Sequence, residues 1–184
     1  MEKTNECFYS ITKIDSNDKT YIDLAGRFPH QSSRDNNYIL VLYNYDSNTI
    51  LVQALKNRES NTILNAWRSI QERLKMGGVT SKHYVMDNEF SKDLKNTLLA
   101  ENITFEQAPP YQHRRNAAER AIRTFTNHLL AGLATCDPAS HICEWDRLLL
   151  QAELTINLLR NSRINPNLSA WADLFGNFDF NKST

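Results

Sequence analysis

Tyr38-Ile39-Leu40-Val41-Leu42-Tyr43, then Asp46-Ser47-Asn48, then Thr49-Ile50-Leu51-Val52-Gln53-Ala54 follow one another in the chain and set its architecture. Both outer runs are rich in β-branched and aromatic residues, which suit a pleated, buried strand. The Asp, Ser and Asn side chains between them bond readily to nearby backbone, so the segment predicts a hairpin. Upstream, Thr20-Tyr21-Ile22-Asp23-Leu24 predicts another strand. Downstream the periodicity changes. Ile63, Leu64, Trp67, Ile70 and Leu74 recur at helical spacing between Ser60 and Lys75, and Gly77-Gly78 supplies the stop. His83 to Met86 reads as a short buried strand, Ser91 to Ala100 as a helix capped by Ser91, and Ile103 to Gln107 as a strand ended by Pro109-Pro110. Helices are predicted from Arg114 to Leu133 and from Glu144 to Arg160. Consecutive strands followed by alternating helices and strands imply an α/β fold. Its mixed five-stranded sheet is antiparallel at the hairpin, parallel across the helical crossovers, and flanked by helices.

A chain of 184 residues, 41% hydrophobic and 23% charged, can bury one core without disulfides or a structural metal. Residues 1–18 read as a loose leader and 19–184 as one domain. No apolar run reaches the length of a membrane span and no export signal is evident, so an intracellular protein is expected. Cys7, Cys136 and Cys143 are odd in number and lack paired spacing, which predicts reduced thiols; His141 beside Cys143 has no second ligand pair nearby. The 21 basic residues balance the 21 acidic ones, so any basic surface must be local. One such cluster exists, at Arg114, Arg115, Arg120 and Arg123 around the single acid Glu119.

Three acids stand where local rules disfavour or fail to require them. Asp23 lies inside an apolar strand, where a charge is costly unless the strand is an exposed edge. Asp87 follows the strand His83 to Met86, at the carboxyl end where parallel sheets bind ligands, although a turn or helix cap beside Asn88 is the ordinary explanation. Glu119 lies one helical turn from Arg115 and Arg123 and could form exposed ion pairs, worth only about 0.2–0.5 kcal/mol each. Each acid alone carries little. Their placement on elements that one mixed sheet would bring together carries more, since a carboxylate cluster favours hard divalent cations.

The element order resembles the ribonuclease H-like fold. The residues also resemble the catalytic core of retroviral and retrotransposon integrases, the DDE recombinases, most closely the copia type. Thr20 to Asp23 with Gly26-Arg27-Phe28 is similar to that family's first strand, and Met86-Asp87-Asn88-Glu89-Phe90 to the segment bearing its second acid. Pro110-Tyr111-Gln112-His113-Arg114-Arg115-Asn116-Ala117-Ala118-Glu119-Arg120 resembles the loop and helix start that present the third. Trp145, Ala152, Asn157, Asn165-Pro166 and Leu174-Phe175-Gly176 resemble the closing segments. The family's glycines after Asp87-Asn88 and shortly before the third acid are absent; Asn116 stands at the latter place. Glu89 and Asp93 are the alternative third ligands.

The resemblance implies a polynucleotidyl transferase. Asp23, Asp87 and Glu119 would be the catalytic residues, holding two Mg²⁺ or Mn²⁺ ions, with Asp23 bridging them. Such a pair of metals activates an attacking oxygen and stabilises the leaving one. DNA, as element ends and target, would be the partner, gripped by Tyr111, His113, Arg114, Arg115, Arg120 and Arg123. A homo-oligomer is expected when active, and a nuclear location in a eukaryotic host. Two rivals remain: a ribonuclease H-like nuclease that only hydrolyses, and an inactive, domesticated core that binds DNA or a protein.

Overall fold

The computed structural model describes residues 19–87, 90–107 and 117–181. Residues 1–18, with Cys7, lie outside that range, as do Tyr111, His113, Arg114, Arg115 and Glu89. Strands β1 (Lys19–Ala25), β2 (Tyr38–Asn44), β3 (Ile50–Leu55), β4 (His83–Met86) and β5 (Thr104–Gln107) form one sheet in the order β3-β2-β1-β4-β5. The β1/β2 and β2/β3 pairs are antiparallel; β1/β4 and β4/β5 are parallel. The mixed five-stranded sheet read from the sequence is therefore the one that forms. The β2–β3 turn closes as expected: Asn48 adopts the left-handed conformation at φ 58°, and the Ser47 backbone N–H donates to Asn44 Oδ1 at 2.9 Å.

Helices cover both faces because both faces are apolar. Ile22, Leu40, Leu42, Leu51, Tyr84 and Met86 pack against α1 (Ser60–Met76) and α2 (Lys92–Ala100). The Ser91 hydroxyl caps α2 by accepting from the Leu94 N–H at 3.3 Å. On the other face Ile39, Val41, Tyr43, Ile50 and Val52 pack against α3 (Ala117–Ala134) and α4 (Leu149–Leu159). A last short helix, α5 (Ala170–Phe175), capped by Ser169, was not legible in the apolar pattern. Among the described residues no helix is long and apolar enough to cross a membrane.

One expectation is corrected. The single helix predicted from Glu144 to Arg160 is broken into a 3-10 segment, Ile142–Arg147, and α4. Trp145 is fully buried, stacks on Phe28 with ring centroids 4.3 Å apart, and donates from Nε1 to the His30 carbonyl at 2.8 Å. Asp146 Oδ2 accepts from Ser32 Oγ, Arg34 Nε and Asn36 Nδ2 at 2.8, 3.0 and 2.6 Å. These contacts to the β1–β2 loop fix Trp145 and Asp146 where a continuous α-helix would not put them.

The outer edge of β3 is closed by side chains. Ile50 donates its N–H to Asn157 Oδ1 at 2.9 Å and accepts from Asn157 Nδ2 at 2.7 Å, as a neighbouring strand would do. Val52 donates to Glu153 Oε2 at 2.8 Å and accepts from Arg73 Nη1 at 3.3 Å, while Arg73 Nη2 pairs with Glu153 Oε1. Burial pushes the Glu153 carboxyl up, against the pull of the Arg73 guanidinium and the Val52 N–H. An edge occupied in this way presents fewer free groups to another chain.

Candidate functional site

Alternation along β1 divides its side chains between the two faces. Ile22 joins the core beneath α1 and α2, whereas Tyr21 and Ala25 pack on the α3 side, so Asp23 shares the α3 face with them. On β4, Tyr84 and Met86 belong to the α1 side, which assigns His83, Val85 and the following Asp87 to the α3 face as well. The parallel β1/β4 register ends with Ile22 beside Met86, so the next step sets Asp23 beside Asp87. Neighbouring strands lie about 4.8 Å apart, and the two carboxylates therefore issue from adjoining backbone positions. Asp23 and Asp87 are both half-buried, and Asp23 Oδ1 accepts from the Leu24 N–H at 2.7 Å.

The third acid arrives by helix packing. Ala121, Phe125 and Leu129 are buried one turn apart and seat α3 on β1 and β2. Glu119 is half-buried in the first turn, where the helix dipole favours a negative charge. Arg120 and Arg123 are exposed on the same helix. Asp93, an alternative ligand in the sequence reading, is exposed and accepts from Ser60 Oγ at 2.5 Å between α1 and α2, on the other side of the sheet. Among the described residues no group of three His, Cys, Asp or Glu side chains is gathered tightly enough to hold a metal ion. The donor chemistry nevertheless fits one: carboxylate oxygens suit Mg²⁺ or Mn²⁺, and like charges on adjoining positions of interior strands repel unless a cation lies between them.

Sequence reasoning missed other polar residues on this face. His83 Nδ1 lies 2.8 Å from Thr104 Oγ1, and its Nε2 lies 3.7 Å from Glu106 Oε2 on β5. Burial, together with Tyr45 and Glu106, raises the pKa of Tyr21 above its ordinary value. Arg160 and Arg163, which follow α4, flank Tyr43. The only hint in sequence was two arginines three residues apart beyond an apolar helix. The expected free thiols hold for Cys136 and Cys143.

No family model matches the sequence, and no curated protein matches it. Solved structures do match in shape. The catalytic core domain of BIV integrase superposes with a TM-score of 0.60 at 16% identity, covering 86% of this chain and 93% of that one. The HTLV-2 integrase catalytic core domain in complex with magnesium, in its trimeric form, gives 0.65 at 18% identity over 86% and 96% of the two chains. A chain of the simian T-cell lymphotropic virus intasome bound to the PP2A regulatory subunit B56 gamma gives 0.67 at 16% identity, over 89% of this chain and 56% of that one. The likeness establishes the fold: this chain has the ribonuclease H-like architecture found in integrase catalytic cores.

Proposed function

We propose that this chain is the catalytic core of a DNA integrase, a polynucleotidyl transferase, and that it belongs to the copia type. The observation that carries the reading is the parallel β1/β4 register, which ends with Ile22 beside Met86, one residue before Asp23 and Asp87, in a sheet whose β1 and β2 carry α3 with Glu119 in its first turn. Integrase cores of two viral groups share the architecture that generates this adjacency, and the HTLV-2 core was solved with magnesium. The copia assignment rests on the residues around Asp23, Asp87, Glu119 and Asn157 quoted above.

In this reading Asp23, Asp87 and Glu119 would hold two Mg²⁺ or Mn²⁺ ions, which supply Lewis-acid stabilisation to phosphoryl transfer when bound. The remaining work falls to the chain itself. Asp23 sits within the interior strand β1 and Asp87 directly follows the interior strand β4, so the sheet sets where both carboxylates begin before reaction. Arg120 and Arg123, exposed beside Glu119, bind phosphate oxygens and hold the scissile bond over the carboxylates; Tyr111, His113, Arg114 and Arg115 are assigned the same task. Multimerisation would bring two DNA ends together; HTLV-2 cores are known in dimeric and trimeric forms.

The test is incubation with Mn²⁺ and an end-labelled duplex, followed by separation of cut and joined products. Joined products that vanish in Asp23→Asn and Asp87→Asn, with the thermal transition retained, support the reading. Cleavage without joining would assign the chain to ribonuclease H-like nucleases instead. Full activity of a folded Asp87→Asn protein would overturn the role of the acid cluster altogether.

A further inference from the structure

We propose that Arg163 and Arg160 form a second binding surface for a nucleic-acid backbone, centred on Tyr43 and joined to the acid pocket through Arg120. Arg160 caps the end of α4, Arg163 lies in the loop beyond it, and Arg120 projects from α3. The Arg160 and Arg163 guanidinium carbons stand 5.7 and 5.9 Å from the Tyr43 ring centroid, and Arg163 lies 3.9 Å from that of Tyr45. Tyr43, Arg120, Ala121, Thr124 and Arg160 line a hollow of about 220 Å³.

Three features mark this cluster as a site for an anion. First, no carboxylate lies within ion-pair distance of Arg120, Arg160 or Arg163 among the described residues, although the other paired arginines there, Arg34, Arg73 and Arg147, each meet an acid. Second, donors remain. Arg160 gives Nε to the Asn48 carbonyl at 3.1 Å and Nη2 to Asn48 Oδ1, and Arg163 gives Nη2 to Tyr43 Oη at 2.8 Å. A guanidinium carries five N–H donors, so both retain some for a ligand. Third, Arg160 is half-buried, and burial pulls its pKa below the ordinary value with Arg163 adding like-charge repulsion. The Asp46 backbone carbonyl accepts from the N–H groups of Arg163 and Ile164, at 3.0 and 3.3 Å, and ties this loop to the β2–β3 turn.

Location selects the ligand class. Tyr43 pairs directly with Tyr21 on β1, two residues before Asp23 on the same face, a rise of about 6.8 Å along the strand. Arg120 is the residue next to Glu119. A chain of regularly spaced phosphates leaving the acid pocket would meet Arg120 and then the Tyr43 arginines, as a single anion would not. The inference rests on the integrase reading for the identity of that polyanion. In a chain of zero net charge, such a local excess is what gives phosphates a place to bind.

The test measures binding of a fluorescent duplex oligonucleotide in EDTA, so that catalysis plays no part. Arg163→Ala should weaken binding about fivefold, and should lower the slope of log affinity against log salt by about 0.9. Arg163→Lys should keep the slope. In the unmodified protein, phenylglyoxal labelling of Arg163, read by peptide mass mapping, should be suppressed by bound oligonucleotide. Unchanged affinity and slope in Arg163→Ala, or labelling indifferent to DNA, overturns the proposal, as does equal protection by a poly-Glu peptide of the same charge. Protection of Arg163 in a protein that never joins DNA would instead retain this surface and sink the catalytic reading.

Discussion

Asn157→Ala removes the side chain that stands in for a missing strand. Asn157 is fully buried, and its amide answers both the N–H and the C=O of Ile50, at 2.9 and 2.7 Å. Alanine leaves two buried backbone groups without partners. Each costs about 1–3 kcal/mol when unsatisfied, so the variant should lose about 2–6 kcal/mol. For a chain of this size each kcal/mol lowers the melting temperature by about 2–4 °C, which predicts a drop of about 4–24 °C. Urea titration should show a lower midpoint with an unchanged m-value, because the surface exposed on unfolding is nearly the same. Gln151→Ala, on the exposed side of the same helix, serves as the reference and should stay within about 0.5 kcal/mol of the parent. The variant should also aggregate faster, since β3 becomes an open edge. A loss below about 1 kcal/mol would mean that water or a shifted backbone satisfies Ile50, and the edge-capping argument would fail.

Gly77→Ala should cost about 1–3 kcal/mol in chemical unfolding, because an added Cβ would lie 2.5 Å from Leu174 Cδ1 and 2.6 Å from the Leu174 carbonyl oxygen, which cannot swing aside. Burial pushes the Asp146 carboxyl up, but hydrogen bonds from Arg34, Asn36 and Ser32 outweigh it and hold its pKa below the ordinary 3.8. The stability it adds is present above that value and lost as pH falls through the lower folded one, so Asp146→Asn should flatten the acid limb of the stability profile. Ala121→Leu inserts bulk between α3 and the sheet just beyond Glu119; strand transfer should fall by more than the about 1–3 kcal/mol of lost stability accounts for, and equal losses would show that helix seating does not position the acid.

Local chemistry made most of the fold legible. The apolar runs marked β1 to β4, Gly77-Gly78 marked the end of α1, and Ser91 marked the start of α2, each through an effect that spans a few residues. The break before α4 was not legible, because Trp145, Leu148, Leu149 and Ala152 keep helical spacing while the forces that interrupt the helix come from Phe28, His30 and the Ser32 to Asn36 loop. Asp23 and Asp87 were noticeable because a charge interrupts or ends an apolar strand. Glu153 gave no such signal, since an acid on a helix passes for a solvated one; only the fold reveals that it is 1% exposed and answers Val52 and Arg73. The cluster around Tyr43 draws Arg120 and Arg160 from segments far apart in sequence, and no spacing rule joins them.

The adjacency of Asp23 and Asp87 is a property of strand register, which is held at the opposite end of the strands. Parallel pairing alone specifies register weakly, and a slip of one residue would turn Asp87 to the α1 face. Buried polar contacts oppose that slip. Thr20 Oγ1 on β1 lies 2.6 Å from Ser81 Oγ just before β4 and accepts from Asn44 Nδ2 at 3.1 Å, and His83 Nδ1 on β4 lies 2.8 Å from Thr104 Oγ1 on β5. Sliding β4 against either neighbour would break one of these and leave buried polar atoms unpaired, at about 1–3 kcal/mol each. An apolar replacement at Thr20 or Ser81 could fill the same space but would not distinguish one register from the next. The hydroxyls at the amino ends of the strands thus specify where the carboxylates stand at the carboxyl ends, and the acids need contribute nothing to their own placement.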